Sequence, residues 1–202
     1  MIPHVIGYML SGHLPHPATL CNDLTMNDNS PFLTLYMLMR HLEIHDAMNE
    51  LLDDFWAASL LRPACLIKEV DFDAFLELYE EEGEEDVLVS FVITLAGYMI
   101  LGDNAANADS SIGPKDDRKW CVEVFEMMPA TALSDKVLRE VASIRSKRQT
   151  AFAHDLCEFH VHDDGSSCTE DWQKRIALLM REQRVIMEKA GIELDQDSAN
   201  GV

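Results

Sequence analysis

The sequence predicts an all-α fold, an irregular bundle of roughly eight or nine helices around one core. Three stretches carry that prediction. Ser30 to Ser59 holds two short segments back to back, in each of which apolar residues recur every three or four positions. Val87 to Leu101, VLVSFVITLAGYMIL, is too long for a single strand, and its Leu88, Phe91, Val92, Leu95 and Met99 keep helical spacing. Beyond Thr169, apolar residues with intervening basic ones describe an amphipathic helix over 170–190.

Taken in order, Met1 to Leu14 reads as a short helix with Ile2, Val5 and Ile6 inward, stopped by Ser11, Gly12 and Pro15. Ser30 is a good N-cap, and Pro31 fits the first helical position, where its missing N–H costs nothing. Phe32, Leu35, Tyr36, Met39 and Leu42 then form one apolar stripe. A tight corner over His41 to His45 leads to a second helix with Ile44, Met48, Leu51, Leu52 and Phe55 inward. Glu43, Asp46, Glu50, Asp53 and Asp54 are expected on its wet, acidic opposite face. Leu60 to Val70, with Pro63, reads as a connection, and Asp71 as the N-cap of a helix through Phe72, Phe75, Leu76 and Tyr79. The acidic run Glu80 to Asp86 passes into the N-cap of the helix over Val87 to Leu101, and 102–117 is a polar loop. A helix with Trp120, Val124, Phe125 and Met128 stops at Pro129, and another over Leu133 to Ile144 is opened by Ser134. Thr169 is the expected N-cap of the last helix and Gly191 its end. This organisation divides the chain into a helical module, 1–65, and a helical extension, 66–202.

Composition narrows the partners. Sixteen basic against thirty-six acidic side chains give a formal charge of -20, a field that repels phosphate backbones and anionic headgroups. Nucleic acid and membrane are therefore not expected partners. No apolar window reaches the roughly 18 residues of a membrane span, and Met1 to Leu10 lacks the basic start of a signal peptide. Five cysteines, an odd number set mostly in apolar periodic segments, favour a reducing, intracellular setting, cytoplasmic or nuclear. The carboxylates of 80–86 lack calcium-loop spacing and read as a solvated turn.

The order HVIGYMLSGHLP, a polar stretch, and then SPFLTLYMLMRHLEIHDAMNELLDDFW resembles the C-terminal half of a fungal BTB/POZ domain. Tyr8, Ser11 and Gly12 stand near that family's "YTG" corner, Leu35 to Ile44 for its next helix, and Ala47 to Phe55 for its last. The likeness covers about the first third of the chain, which starts inside what would be the family's third helix. More weakly, Asp86 and the apolar helix after it resemble the helix that follows the domain in such proteins. The resemblance implies protein binding, either self-association or an adaptor role for cullin-type ubiquitin ligases, with Leu35, Tyr36, Leu38 and Leu42 as the expected contact residues.

One spaced cluster of ligand-type residues stands out: Cys157, His160, His162 and Cys168, in DLCEFHVHDDGSSC. Thiolate and imidazole are the pair that tetrahedral zinc prefers, and the C-x2-H-x-H-x5-C spacing is compact enough to close. Cys157 and His160 would share a helical face if the preceding helix ran that far. The segment also resembles a "C.YH.H" stretch near the C-terminus of fungal BTB-like proteins. Two other readings stand beside zinc: Cys157 and Phe159 inward with the histidines at the surface, or a Cys157–Cys168 disulfide. His13, His16 and Cys21 are kept apart by Pro15 and Pro17 and read as loop residues. No nucleophile elbow, phosphate-binding glycine loop or H-E-x-x-H is present, and a pairing of Cys157 with His154 or His160 lacks an orienting third group. The sequence thus predicts a non-enzymatic, BTB-like interaction protein without a cofactor. Its alternatives are a small helical protein with a structural zinc at the 157–168 cluster, and an enzyme of unknown type.

Overall fold

Phe32, Leu35, Tyr36 and Met39 of the expected stripe become the buried side of the first helix, α1 (Pro31–His41), whereas Leu42, its fifth member, lies just past the helix and is 48% exposed. The computed structural model describes residues 31–61, 78–80, 86–101, 132–162, 167–168, 171–189 and 191. Among them are five α-helices, the helical residues 78–80, two 3-10 turns and no strand, so the fold is all-α as the sequence predicts. The expected helices before residue 31 and around Trp120, the helix start at Asp71 and the 102–117 loop lie outside the described residues.

α1 ends in a two-bond corner. Glu43 adopts φ 55°, its N–H donates to the Arg40 carbonyl, and the Ile44 N–H donates to the Met39 carbonyl. This left-handed cap satisfies the last carbonyls of α1 and turns the chain directly into α2 (His45–Leu61). Here the structure departs from the expected wet face. α2 is buried nearly all round, because α1 packs on one side and the C-terminal helix on another. Asp53, expected in solvent, is 3% exposed.

Asp86 caps α3 (Val87–Leu101): its Oδ1 accepts from the backbone N–H groups of Leu88 and Val89 at 2.9 and 3.1 Å. Its Oδ2 accepts from Arg40 at 2.8 Å, tying the cap to α1. α3 is the buried helix that its composition demands, and α4 (Ala132–Lys147) packs along it. Their approach is close at Gly97, where an added Cβ would lie 3.0 Å from Ile144 Cδ1. α4 begins before Ser134, so that residue sits in the first turn and is not the cap. Arg148, at φ 51°, closes α4 with the same bond pattern as Glu43, and the chain continues through 3-10 turns at Ala151–Ala153 and Leu156–Phe159.

The last helix, α5 (Trp172–Lys189), packs along α2. Its cap is Asp171, which accepts from the Lys174 N–H; Thr169, the expected cap, is not among the described residues. Gly191, at φ 70°, ends it as predicted. Phe32, Phe55, Trp56, Phe91 and Phe159 form a continuous aromatic chain through the core, with the Phe32 and Phe55 rings stacked at 3.9 Å. Residues from both expected units, 1–65 and 66–202, share that core. No helix among the described residues is long and apolar enough to cross a membrane.

Candidate metal centre

Three of the four ligand-type residues predicted from the sequence, Cys157, His162 and Cys168, converge, the fourth, His160, touches Cys168, and the backbone explains how. Helix α4 stops at Lys147, so Cys157 does not lie on it; Cys157 sits in the second 3-10 turn. The Asp155 side chain accepts from the Cys157 N–H at 3.0 Å, fixing the start of that turn. His160 closes the turn by donating its N–H to the Cys157 carbonyl and then adopts an extended backbone, φ -90° and ψ 141°. In an extended segment, residues two apart point to the same side. His160 and His162 therefore face one way while Val161 faces the other.

Asn49 of α2 holds the segment in that register. Its Oδ1 accepts from the Val161 N–H and its Nδ2 donates to the Val161 carbonyl, both at 3.0 Å, as a neighbouring strand would. Cys168, six residues beyond His162, also reaches the cluster. Its N–H donates to Cys157 Sγ at 3.0 Å.

The ligand atoms of Cys157, His162 and Cys168 all lie within 4.8 Å of one another. His162 Nε2 is 3.4 Å from Cys157 Sγ and 3.5 Å from Cys168 Sγ. His160 joins through Cys168, with Nδ1 3.2 Å from that sulfur. A tetrahedral zinc with Zn–S near 2.3 Å and Zn–N of 2.0–2.1 Å has sulfur-to-nitrogen edges of about 3.5 Å. The observed separations are of that size. Both cysteines are free thiols, so the structure contains no Cys157–Cys168 disulfide, and neither histidine lies fully in solvent as the surface-histidine reading would have it.

Around the four lie residues that sequence reasoning missed. His160 Nε2 is 3.0 Å from Asp53 Oδ1, in a contact whose side chains are 5% and 4% exposed. Asp53 Oδ2 accepts from Arg175 of α5 at 3.4 Å. The Trp172 ring meets His160 edge-on at 5.3 Å. The sequence carried no signal for them: Asn49 and Asp53 are four residues apart on a helix that also carries Asp46, Glu50 and Asp54.

Beside this centre, His154 is buried and stacked on Trp56 and Phe159. The Tyr98 hydroxyl donates to its Nδ1 at 3.0 Å, and its Nε2–H donates to Glu158 at 2.6 Å. Burial pushes the Tyr98 hydroxyl well above its ordinary titration range, so it stays a donor. Both ring nitrogens of His154 are thus engaged, by Tyr98 and by Glu158. A surface cleft of about 410 Å³, lined by Tyr36, Arg40, His45, Asp86 and Val161, lies at the α1–α2 corner. Of the expected protein-contact residues, Leu35 and Tyr36 are in the core at 0% and 1% exposure, Leu38 is half-buried, and Leu42 is exposed at the corner. The chain matches no protein-family model, no curated protein and no solved structure.

Proposed function

We propose that the chain is a zinc-stapled helical protein in which Cys157, His160, His162 and Cys168 hold one zinc ion for a structural purpose. The observation that carries this reading is the set of sulfur-to-nitrogen separations at 3.2, 3.4 and 3.5 Å. They are the size of the sulfur-to-nitrogen edges of a zinc tetrahedron, with Cys157, His162 and Cys168 as three of its corners and His160, in contact with Cys168, as the fourth. Two thiolates with two imidazoles favour zinc over the hard cations magnesium and calcium. Four protein ligands leave no open position for a substrate or a reactive water, which is the arrangement of structural sites. The ion would join the second 3-10 turn to Cys168, four residues before the start of α5. A docking role for the α1–α2 hairpin has less support, since Leu35 and Tyr36 are occupied by the core.

The test is elemental. Protein purified under reducing conditions without chelator should carry close to one zinc per chain. Stripping it should lower the melting temperature by about 10 °C, corresponding to roughly 3–5 kcal/mol at this chain length. Protein that takes up no stoichiometric zinc from a zinc-containing buffer, and melts identically with and without chelator, would sink the proposal.

A further inference from the structure

Asp53 is an expensive residue where it stands. It lies inside the contact between α2 and α5, 3% exposed, at a position where leucine would pack without desolvating a charge. Its two oxygens serve different elements: Oδ1 receives His160 Nε2 at 3.0 Å, and Oδ2 receives Arg175 at 3.4 Å. A neutral imidazole carries one proton. If Nε2 holds it for Asp53, Nδ1 keeps a free lone pair, and Nδ1 is the nitrogen 3.2 Å from Cys168 Sγ. His162 is turned the other way, with Nε2 towards both sulfurs.

We infer that Asp53 is the orienting carboxylate of the metal centre: it fixes His160 so that the ion is bound through Nδ1 of His160 and Nε2 of His162, and through Arg175 it ties the centre to α5. This rests on the zinc reading above. The charges support it. Two thiolates would offset the dication, and the Arg175 guanidinium faces Asp53. A carboxylate behind a metal-bound histidine raises the basicity of the ligating nitrogen, and removing such a partner typically weakens metal binding by about 10–100-fold. Asp53 is a positioning residue, since it does not reach the ion itself. Because it belongs to α2 and its second partner to α5, metal binding and the seating of α5 on α2 become one event.

The experiment uses the full chain, ¹⁵N-labelled and loaded with zinc alone. Two-bond proton–nitrogen correlations assign each histidine's tautomer. The expected result is a protonated Nε2 with a metal-bound Nδ1 at His160, and the reverse at His162. Zinc affinity by chelator competition should fall by about 10–100-fold in Asp53→Leu and by less in Asp53→Asn, whose amide oxygen can still accept from Nε2–H. In Asp53→Leu the His160 signals should also report loss of the single tautomer. Binding through Nε2 of His160 in the wild-type protein overturns the inference, and that measurement needs no variant to fold. So does an Asp53→Leu protein with unchanged affinity and unchanged His160 signals. A wild-type chain that binds no zinc overturns the zinc reading first, and this inference with it.

Discussion

Asp54 and Asp53 are neighbours on α2 with opposite relations to charge. Asp53 has a cationic partner in Arg175, whereas Asp54 has mainly the neutral amide of Gln183, whose Nε2 donates to it at 3.3 Å. Burial first, then the charges of Glu50 and Asp53, push the Asp54 carboxyl up to about 7. The sign follows from linkage. A carboxyl whose folded value is raised contributes its stability below its unfolded value, near 3.8, and loses it as pH rises towards about 7. Between those limits, stability from this group falls with rising pH by up to about 1.4 kcal/mol per unit. Asp54→Asn should therefore melt above the wild-type protein at pH 8, and the gap should close towards pH 4.5. A variant that gains equally at both pH values would show that Asp54 is not the titrating group. None of this was legible in the sequence, where Asp53 and Asp54 look alike on an acidic helix face. Only the arrival of α5 distinguishes them. The ligand set was legible, because cysteine and histidine at short spacing advertise a shared chemistry. Asn49, Asp53 and Arg175 belong to that chemistry only through contacts across more than 100 residues of chain.

At the scale of elements, the stripe of α1 as far as Met39 and that of α3 were legible from period and length, and Pro31 marked the start of α1 and Gly191 the end of α5 as expected. What the pattern concealed were caps made by unexpected residues. Glu43 and Arg148 hold left-handed conformations that glycine usually fills, so neither advertises a helix end. Each costs about 1–2 kcal/mol relative to a right-handed residue, less the extra freedom that glycine would bring to the unfolded chain. Glu43→Gly and Arg148→Gly should each therefore raise stability by about 0.5–1 kcal/mol, readable as a higher denaturation midpoint in urea at unchanged slope. The alanine variants at both positions should show no such gain, since they keep a Cβ in the left-handed region. A fall in midpoint for both glycine variants would mean that the Glu43 and Arg148 side chains contribute more than their backbones cost. The segment from Ala151 to His160 was harder to read, because short 3-10 turns carry no long periodicity. Its structure is set by Asp155 and by anchoring residues elsewhere, such as the bond from Trp56 Nε1 to the Ala151 carbonyl.

Across the whole molecule, one core joins parts that the sequence separates. Phe32, Phe91, Phe159 and Met187 belong to a single cluster, so α5 is seated on the same core as α1. Burial of that apolar surface works against a formal charge of -20. The exposed pair of Lys174 with Asp171 does little to relieve the net repulsion. Self-repulsion among exposed carboxylates is screened by salt, whereas the contacts of Asp53 with His160 and Arg175 lie largely inside the protein and respond much less. Stability should then rise with ionic strength. Between about 10 mM and 300 mM sodium chloride at pH 7.5, the melting temperature should climb by several degrees, as the Debye length shrinks from about 30 Å to below 8 Å. At pH 5, close to the sequence isoelectric point near 4.5, the same addition should change it little. Measuring zinc-loaded and Asp54→Asn proteins in parallel separates this global term from the metal and from the one carboxyl with a raised titration range. A melting temperature that falls with salt at pH 7.5 would mean that attractive pairs outweigh the net repulsion, and that the acidic surface is organised by partners within the chain.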